Sequence, residues 1–251
     1  MIVFGTGNLY GVPQTDASGT AISNPTPVQI GVLQEVQADI SFDEKLLYGA
    51  YQMPVAFGRG KGKYAFKAKA ADFSAQAISS LFFGNTLTAG IRAVSDNEAK
   101  NVPASTPYTV TVAPPSSGTF ATDLGVKYAS TGIPLKCVAS APTAGQYSVS
   151  AGVYTFAAAD ASAAVLISYE YTATSTTQYQ IALTNNLMGQ APSFQAQLSL
   201  PYNGKQMTVK LNNCVSSKLS MPFKNEDFSV QEFDWQALAD AQGNLGWMSL
   251  K

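Results

Sequence analysis

Histidine is absent from the 251 residues. That removes the side chain most often used as a general base or a zinc ligand, and with it every Ser-His or Cys-His nucleophile arrangement. Charge is scarce too: Asp, Glu, Lys and Arg make up 12% of the chain, about half of the roughly 25% usual in globular proteins. With a formal net charge of −1, no global field draws the molecule to nucleic acid or to an anionic membrane. Only two cysteines occur, Cys137 and Cys214. They are too few for a disulfide framework and fit free thiols in a reducing compartment better. Long apolar runs are also missing, the longest being residues 163–167. Residues 1–5 carry neither the basic start nor the apolar stretch of a secretion signal, so no membrane partner is expected.

The chemistry that remains is thin. The acidic neighbours Asp43 and Glu44, and Glu226 and Asp227, would point to opposite faces of a strand, whereas a glycosidase needs two acids opposed across a cleft. They read as solvated turn residues. The run Gly58, Arg59, Gly60, Lys61, Gly62, Lys63 lacks phosphate-loop spacing, and Tyr64 stands where Ser or Thr should follow. Gly5 and Gly7 begin a dinucleotide fingerprint, but Tyr10 occupies the third glycine's place and no βαβ pattern surrounds it. Cys137 beside Lys136 could be an activated thiol, but the alternation around it favours a small buried strand residue. No enzyme activity, cofactor or metal is expected.

What is present is β pattern. Residues 28–42 read as a strand whose end places Val36, Ala38, Ile40 and Phe42 on one face and Glu35, Gln37, Asp39, Ser41 and Asp43 on the other, a half-buried alternation. Residues 62–70 answer with Tyr64, Phe66 and Ala68 against Lys63, Lys67 and Lys69. Paired antiparallel, the two form a long hairpin in which Glu35 faces Lys69, Asp43 faces Lys61 and Val36 faces Ala68. A one-residue slip would mix the faces. Each opposite-charge pair adds about 0.2–1 kcal/mol and fixes register. Residues 46–60 are expected to form a long loop between these strands. One helix follows, with Asp72 as N-cap, an apolar stripe of Phe73, Ala77, Ile78, Leu81 and Phe82, and Gly84 as terminator.

The texture changes in the middle. Residues 101–175 contain only five charges, Asp123, Lys127, Lys136, Asp160 and Glu170. They read as short strands at residues 108–112, 126–129, 135–139, 153–156 and 164–171, split by Pro/Gly/Ser turns. Alternation resumes at residues 178–183, 194–200, 207–212, 215–221 and 228–238. The fold class is mainly β, with a discontinuous domain, 1–100 and 176–251, interrupted by a small β-rich domain at 101–175.

An alternating hairpin, one helix ending Leu81, Phe82, Phe83, Gly84, and a return to alternating strands resembles the major tail tube proteins of long-tailed, siphophage-like bacteriophages. Gly145 to Val149 (GQYSV), Gly152 to Phe156 (GVYTF), Ile167 to Tyr171 (ISYEY), Asn186 to Gly189 (NLMG) and the run from Phe223 to Phe228 (FKNEDF) resemble phage structural proteins in wording too. The resemblance implies a tail-tube-type β-sandwich or barrel with one flanking α-helix, closing into rings, usually of six, that stack into a conduit for DNA ejection. It implies a virion tail location after assembly in the host cytoplasm. The implied partners are further copies of the chain, tape measure and tail terminator proteins, and genome DNA that passes without specific binding. Tyr48, Tyr51, Met53 and Phe57 would contact the next ring, since the corresponding hairpin loop does so in similar proteins. The inserted domain would sit on the outer surface, where neither closure nor stacking runs through it. Two rival readings are a head decoration or neck protein of the same composition, and a carbohydrate-binding or adhesion module using Trp235 and Trp247.

Overall fold

The computed structural model describes residues 5–72 and 74–251. Phe73 and the first four residues therefore lie outside the described residues, and with them part of the expected helical stripe and of the N-terminal reading. In chain order the strands are β1 (Asn8–Pro13), β2 (Val28–Gln29), β3 (Val32–Tyr48), β4 (Pro54–Asp72), β5 (Thr88–Ala89), β6 (Ile91–Asn101), β7 (Thr109–Thr111), β8 (Thr119–Tyr128) and β9 (Lys136–Cys137). They continue with β10 (Gln146–Ser150), β11 (Val153–Phe156), β12 (Ala164–Ala173), β13 (Tyr179–Gln180), β14 (Ser193–Tyr202), β15 (Lys205–Ser220), β16 (Gln231–Ala237) and β17 (Gly246–Leu250). The protein is mainly β, with one helical segment of note.

The chain divides into two compact units. The first comprises Met1–Leu87 with Ile181–Lys251, and the second is Thr88–Gln180. The second unit is wider than residues 101–175, because β6 belongs to it: its full length pairs with β12, from Ile91 opposite Ala173 to Asn101 opposite Ala164. Its two chain crossings meet in the pairing of β5 with β13, the arrangement an inserted segment needs for its ends to lie together.

The first unit is built on an eight-stranded sheet in the order β2-β1-β14-β15-β16-β4-β3, with β17 on the free part of β15. One face carries the core, where Leu9, Ile30, Phe66, Ala68, Phe194, Leu198, Leu211, Phe233 and Trp235 are buried together. Trp235 stacks on Phe66 with ring centroids 5.4 Å apart. The helical segment seals this face. It begins as α1 (Ala75–Ala77) and widens into a π-helical turn, Ile78–Phe83. Its N-cap is Ser74, whose side chain accepts from the Ala77 N–H. Asp72 is not the cap, because the strand runs on through it. Gly84 ends the turn in the left-handed conformation, φ 66°, as a C-terminal glycine does. Leu81 presses so closely on β1 that a Cβ on Gly11 would lie 2.4 Å from a Leu81 methyl.

The second unit has a four-stranded sheet, β7-β11-β10-β9, and a three-stranded sheet, β6-β12-β8. They share one core of Val110, Val126, Tyr147, Tyr154, Phe156, Val165, Ile167 and Tyr169. Three of its acids are bonded to tyrosine hydroxyls. Asp123 accepts from the hydroxyls of Tyr147 at 2.5 Å and Tyr154 at 2.8 Å. Buried Asp160 accepts from Tyr128 at 2.6 Å and from the Gly145 N–H at 3.1 Å. Glu98 accepts from Tyr169 at 2.6 Å. Burial and the Asp123 carboxylate together push both Tyr147 and Tyr154 above the ordinary tyrosine range.

Cys137 is exposed, not buried. It sits on a two-residue strand at the margin of its sheet, where no second layer covers it. Cys214 is the buried thiol, and burial pushes it up to about 12.

Candidate functional site

The β3–β4 hairpin is the least covered part of the first unit. Its strands pair from Val32 opposite Asp72 to Tyr48 opposite Pro54, so residues 46–60 are not the expected long loop. They are the distal end of a ribbon whose connection is only residues 49–53. Glu35 stands opposite Lys69, and the same register sets Val36 opposite Ala68, Ala38 opposite Phe66, Ile40 opposite Tyr64 and Ser41 opposite Lys63. Lys69 Nζ lies 2.5 Å from Glu35 Oε2. The register shifts between Phe42 and Glu44, which brings Glu44 opposite Arg59. Asp43 is thereby left at a bulge, and among the described residues neither it nor Lys61 is held in an ion pair. Arg59 instead lies over the Phe42 ring, 4.6 Å from its centroid.

On the polar side, charges alternate across three strands. Lys67 is ion-paired with Glu232 on β16, and Lys218 on β15 reaches the same carboxylate at 3.6 Å. The Lys67 ammonium holds Glu232 below the ordinary carboxylate value, and Glu232 in turn raises Lys67. Of the five basic residues on β4, Lys67 and Lys69 are therefore neutralised, while Lys61 and Lys63 are free of ion pairs among the described residues.

The apolar side is where the alternation misleads. Phe66, Ala68 and Ala70 on β4 are buried, and Val36 packs against the core. From Ala38 onward, however, β3 is exposed on both faces. Ile40, Leu47, Tyr48, Tyr51, Met53, Val55 and Phe57 are all between 57% and 85% exposed. They lie on both faces of the ribbon and at its tip, where large apolar side chains are rarely left uncovered in such number. Among the described residues the outer side of β3 has no neighbouring strand, and beyond Leu33, whose carbonyl accepts from the Thr6 hydroxyl at 3.0 Å, a row of backbone N–H and C=O groups runs along the same element.

Other candidates carry less. Trp235 is buried in the core and Trp247 half exposed, so the two do not form one sugar platform. Asp227 is tied to Lys224 at 3.3 Å and to the Phe228 N–H, a turn arrangement. An apolar crevice lined by Ile30, Ala77, Ile78, Leu81 and Phe233 offers no polar group. Among the described residues, no group of three His, Cys, Asp or Glu is placed to hold a metal. No helix there is long and apolar enough to cross a membrane. Sequence reasoning missed β17, whose Trp247, Met248 and Leu250 are also exposed. Its five residues alternate too briefly after Gly243 and Gly246 to stand out.

No protein-family model matches the chain, and no curated protein matches it.

Proposed function

We propose that the chain is a self-assembling structural subunit of the phage tail tube kind, forming stacked rings around a lumen through which DNA passes. The observation that carries this reading is the uncovered apolar hairpin on an open 17-residue edge strand. In water an exposed face and edge of this length favour association. A contact between unlike surfaces of identical copies closes a ring or propagates a fibre. Tyr48, Tyr51, Met53 and Phe57, at or beside the tip, are positioned to reach a neighbouring ring. On the polar side Lys67 and Lys69 are bound to Glu232 and Glu35 and so withdrawn from phosphate, which weakens any grip on DNA there, while Lys61 and Lys63 stay free of ion pairs among the described residues. The resemblance in sequence wording to phage structural proteins points the same way.

Electron microscopy of concentrated protein tests this reading, with stacked rings or tubes as the expected image. Single unstacked rings or small closed oligomers would favour a head decoration or neck component. A strictly monomeric particle at all salt concentrations would overturn the assembly reading.

A further inference from the structure

The open edges of the first unit's sheet point two ways, and the pairings say which. Cys214 and Val215 on β15 are partnered by β14 and by β16 at once, so those two strands lie on opposite sides of β15. Residues 207–211 of β15 pair with β14 and with β17. β17 therefore shares the lane of β16, and its open side turns the same way as the outer side of β3. Three edges turn the other way. β2 is only two residues long. The inner side of β4 beyond Ala65 pairs with no strand among the described residues, but it looks onto the lane where the chain's own β17 lies. The third edge is the end of β15. β14 begins at Ser193, opposite Val215, so past Val215 that side of β15 has no strand beside it among the described residues. The hydroxyl of Ser216 donates to the Leu81 carbonyl of the helical segment at 3.3 Å, which leaves residues 217–220 as the free stretch.

The end of β15 fits the outer side of β3 in direction. β15, β16, β4 and β3 are antiparallel in turn, so a fifth strand laid antiparallel against β3 runs as β15 does. The faces fit too. Leu219 packs against the core opposite Phe233, and Lys218 and Ser220 stand opposite Asp234 and Glu232 on the polar face. On β3, Val36 and Ala38 share the core face, opposite Ala68 and Phe66, and Gln37 and Asp39 lie on the polar face. Charge selects the register. Among the described residues Asp39 has no ion pair, and Gln37 donates to it at 3.0 Å. Lys218, its side chain 56% exposed, only reaches at 3.6 Å a carboxylate that Lys67 already holds. Setting Asp39 opposite Lys218 brings Ala38 opposite Leu219, Gln37 opposite Ser220 and Val36 opposite Met221. A slip of one residue would set polar side chains against the core face.

We infer that the outer edge of β3 around Asp39 in one copy pairs with the free end of β15 around Lys218 in the next. This rests on the self-assembly reading and names the two surfaces that meet. The four strands β15-β16-β4-β3 become the repeat of a sheet that continues from copy to copy with its faces in step. Val36 and Ala38 come beside Met221 and Leu219 on the core face, and Asp39 meets Lys218 on the polar face. Backbone groups supply the bonding and the side chains select the register, as in strand addition to a sheet edge. The two edges are unlike and turn opposite ways, so every copy offers one of each and the contact repeats in one direction.

The test mixes two proteins in a Cys137→Ser background, with the buried and weakly acidic Cys214 retained. One carries Gln37→Cys and the other, with a mass tag, carries Ser220→Cys. Both positions lie on the polar face, so neither change opens the core. After concentration and mild oxidation, the tagged and untagged chains should cross-link at least about tenfold more than either protein with itself. Ser41→Cys in place of Gln37→Cys should stay at background, and cross-linking there instead overturns the register. A parent protein that assembles while the mixed pair fails to cross-link overturns this inference and leaves the assembly reading standing. A parent that never assembles overturns both. A charge arm reads the same contact. Asp39→Lys and Lys218→Glu should each weaken association about tenfold when alone, through like charges set face to face. In an equal mixture each reversed charge meets its opposite in the neighbouring copy, and association should return. Loss without return in the mixture counts against the pairing.

Discussion

The two units solve the problem of a sheet edge in opposite ways. In the second unit the long edge strand β6 is guarded. Arg92 pairs with Glu170 at 2.5 Å, Glu98 with Lys100 at 2.7 Å, and Asn97, at φ 55°, marks a bulge whose N–H is taken by Ser168. Asp123 and Asp160 are clasped by tyrosine hydroxyls, and exposed Asp96 accepts from Ser168. Charge along an edge and bulges that turn it away are the usual devices against unwanted pairing. In the first unit the longest edge strand, β3, keeps apolar side chains that nothing covers among the described residues. One unit guards its long edge, and the other leaves its long edge open among the described residues. Low charge therefore takes two forms in one chain: in the second unit several acids are bonded to tyrosine hydroxyls, and in the first the distal hairpin exposes apolar side chains in place of charge.

If the units are as separate as their cores imply, damage to one should spare the other. Trp235→Ala removes the stacked ring on Phe66 and should cost the first unit about 3–5 kcal/mol, read as a lowered midpoint for its calorimetric transition alone. Asp123→Ala strands two buried tyrosine hydroxyls and should cost the second unit roughly 2–4 kcal/mol, with the first unit's transition unmoved. A single transition shifted by both changes would mean that the units unfold as one.

Alkaline titration sharpens the same contrast. Burial raises Cys214 from its ordinary 9.0 to about 12, so above pH 9 the unfolded chain loses a proton that the folded unit keeps. The stabilisation is complete below pH 9 and is lost as pH rises towards 12, at about 1.4 kcal/mol per pH unit. In the second unit, Tyr147 and Tyr154 are raised by burial and by Asp123, and the corresponding loss begins only above about pH 10. Cys214→Ala should flatten the first unit's curve between pH 9 and 10 and leave the second unit's unchanged. Unchanged slopes in both would remove the thiol from the account.

The smallest effect concerns register. Glu35→Lys and Lys69→Glu should each destabilise the first unit, and the double exchange should recover most of the loss, with a coupling of about 0.2–1 kcal/mol for this exposed pair. Chemical denaturation of the four proteins measures it. Losses that simply add would show that the two side chains are not partners.

The sequence was legible where alternation was long and unbroken. The run from Val36 to Ser41 and its answer from Lys63 to Ala68 specify the face, because a slip would reverse it. It was illegible where backbone and side-chain signals conflict. The shift at Phe42 falls opposite Gly60 and Lys61, where the glycine-rich run read as a hairpin tip, so the bulge that takes Asp43 from Lys61 was not separated from the turn. Gly58 and Gly60 lie inside β4 instead. Gly11 and Pro13 hid β1, though Gly11 is there to admit Leu81. The charges of β6, which guard its edge, made it look like part of the charged flanks and moved the expected boundary inward. Exposure of the hairpin was invisible in principle, since alternation says which side chains share a face and not whether anything covers it.

Amide hydrogen exchange, compared between dilute and concentrated protein, tests the central claim most directly. The account predicts that amides on the outer side of β3 exchange rapidly when dilute and become protected by at least about tenfold on assembly, while those of β6 and β12 keep one rate throughout. Equal protection of β3 at both concentrations, or protection gained by β6 instead, would contradict it.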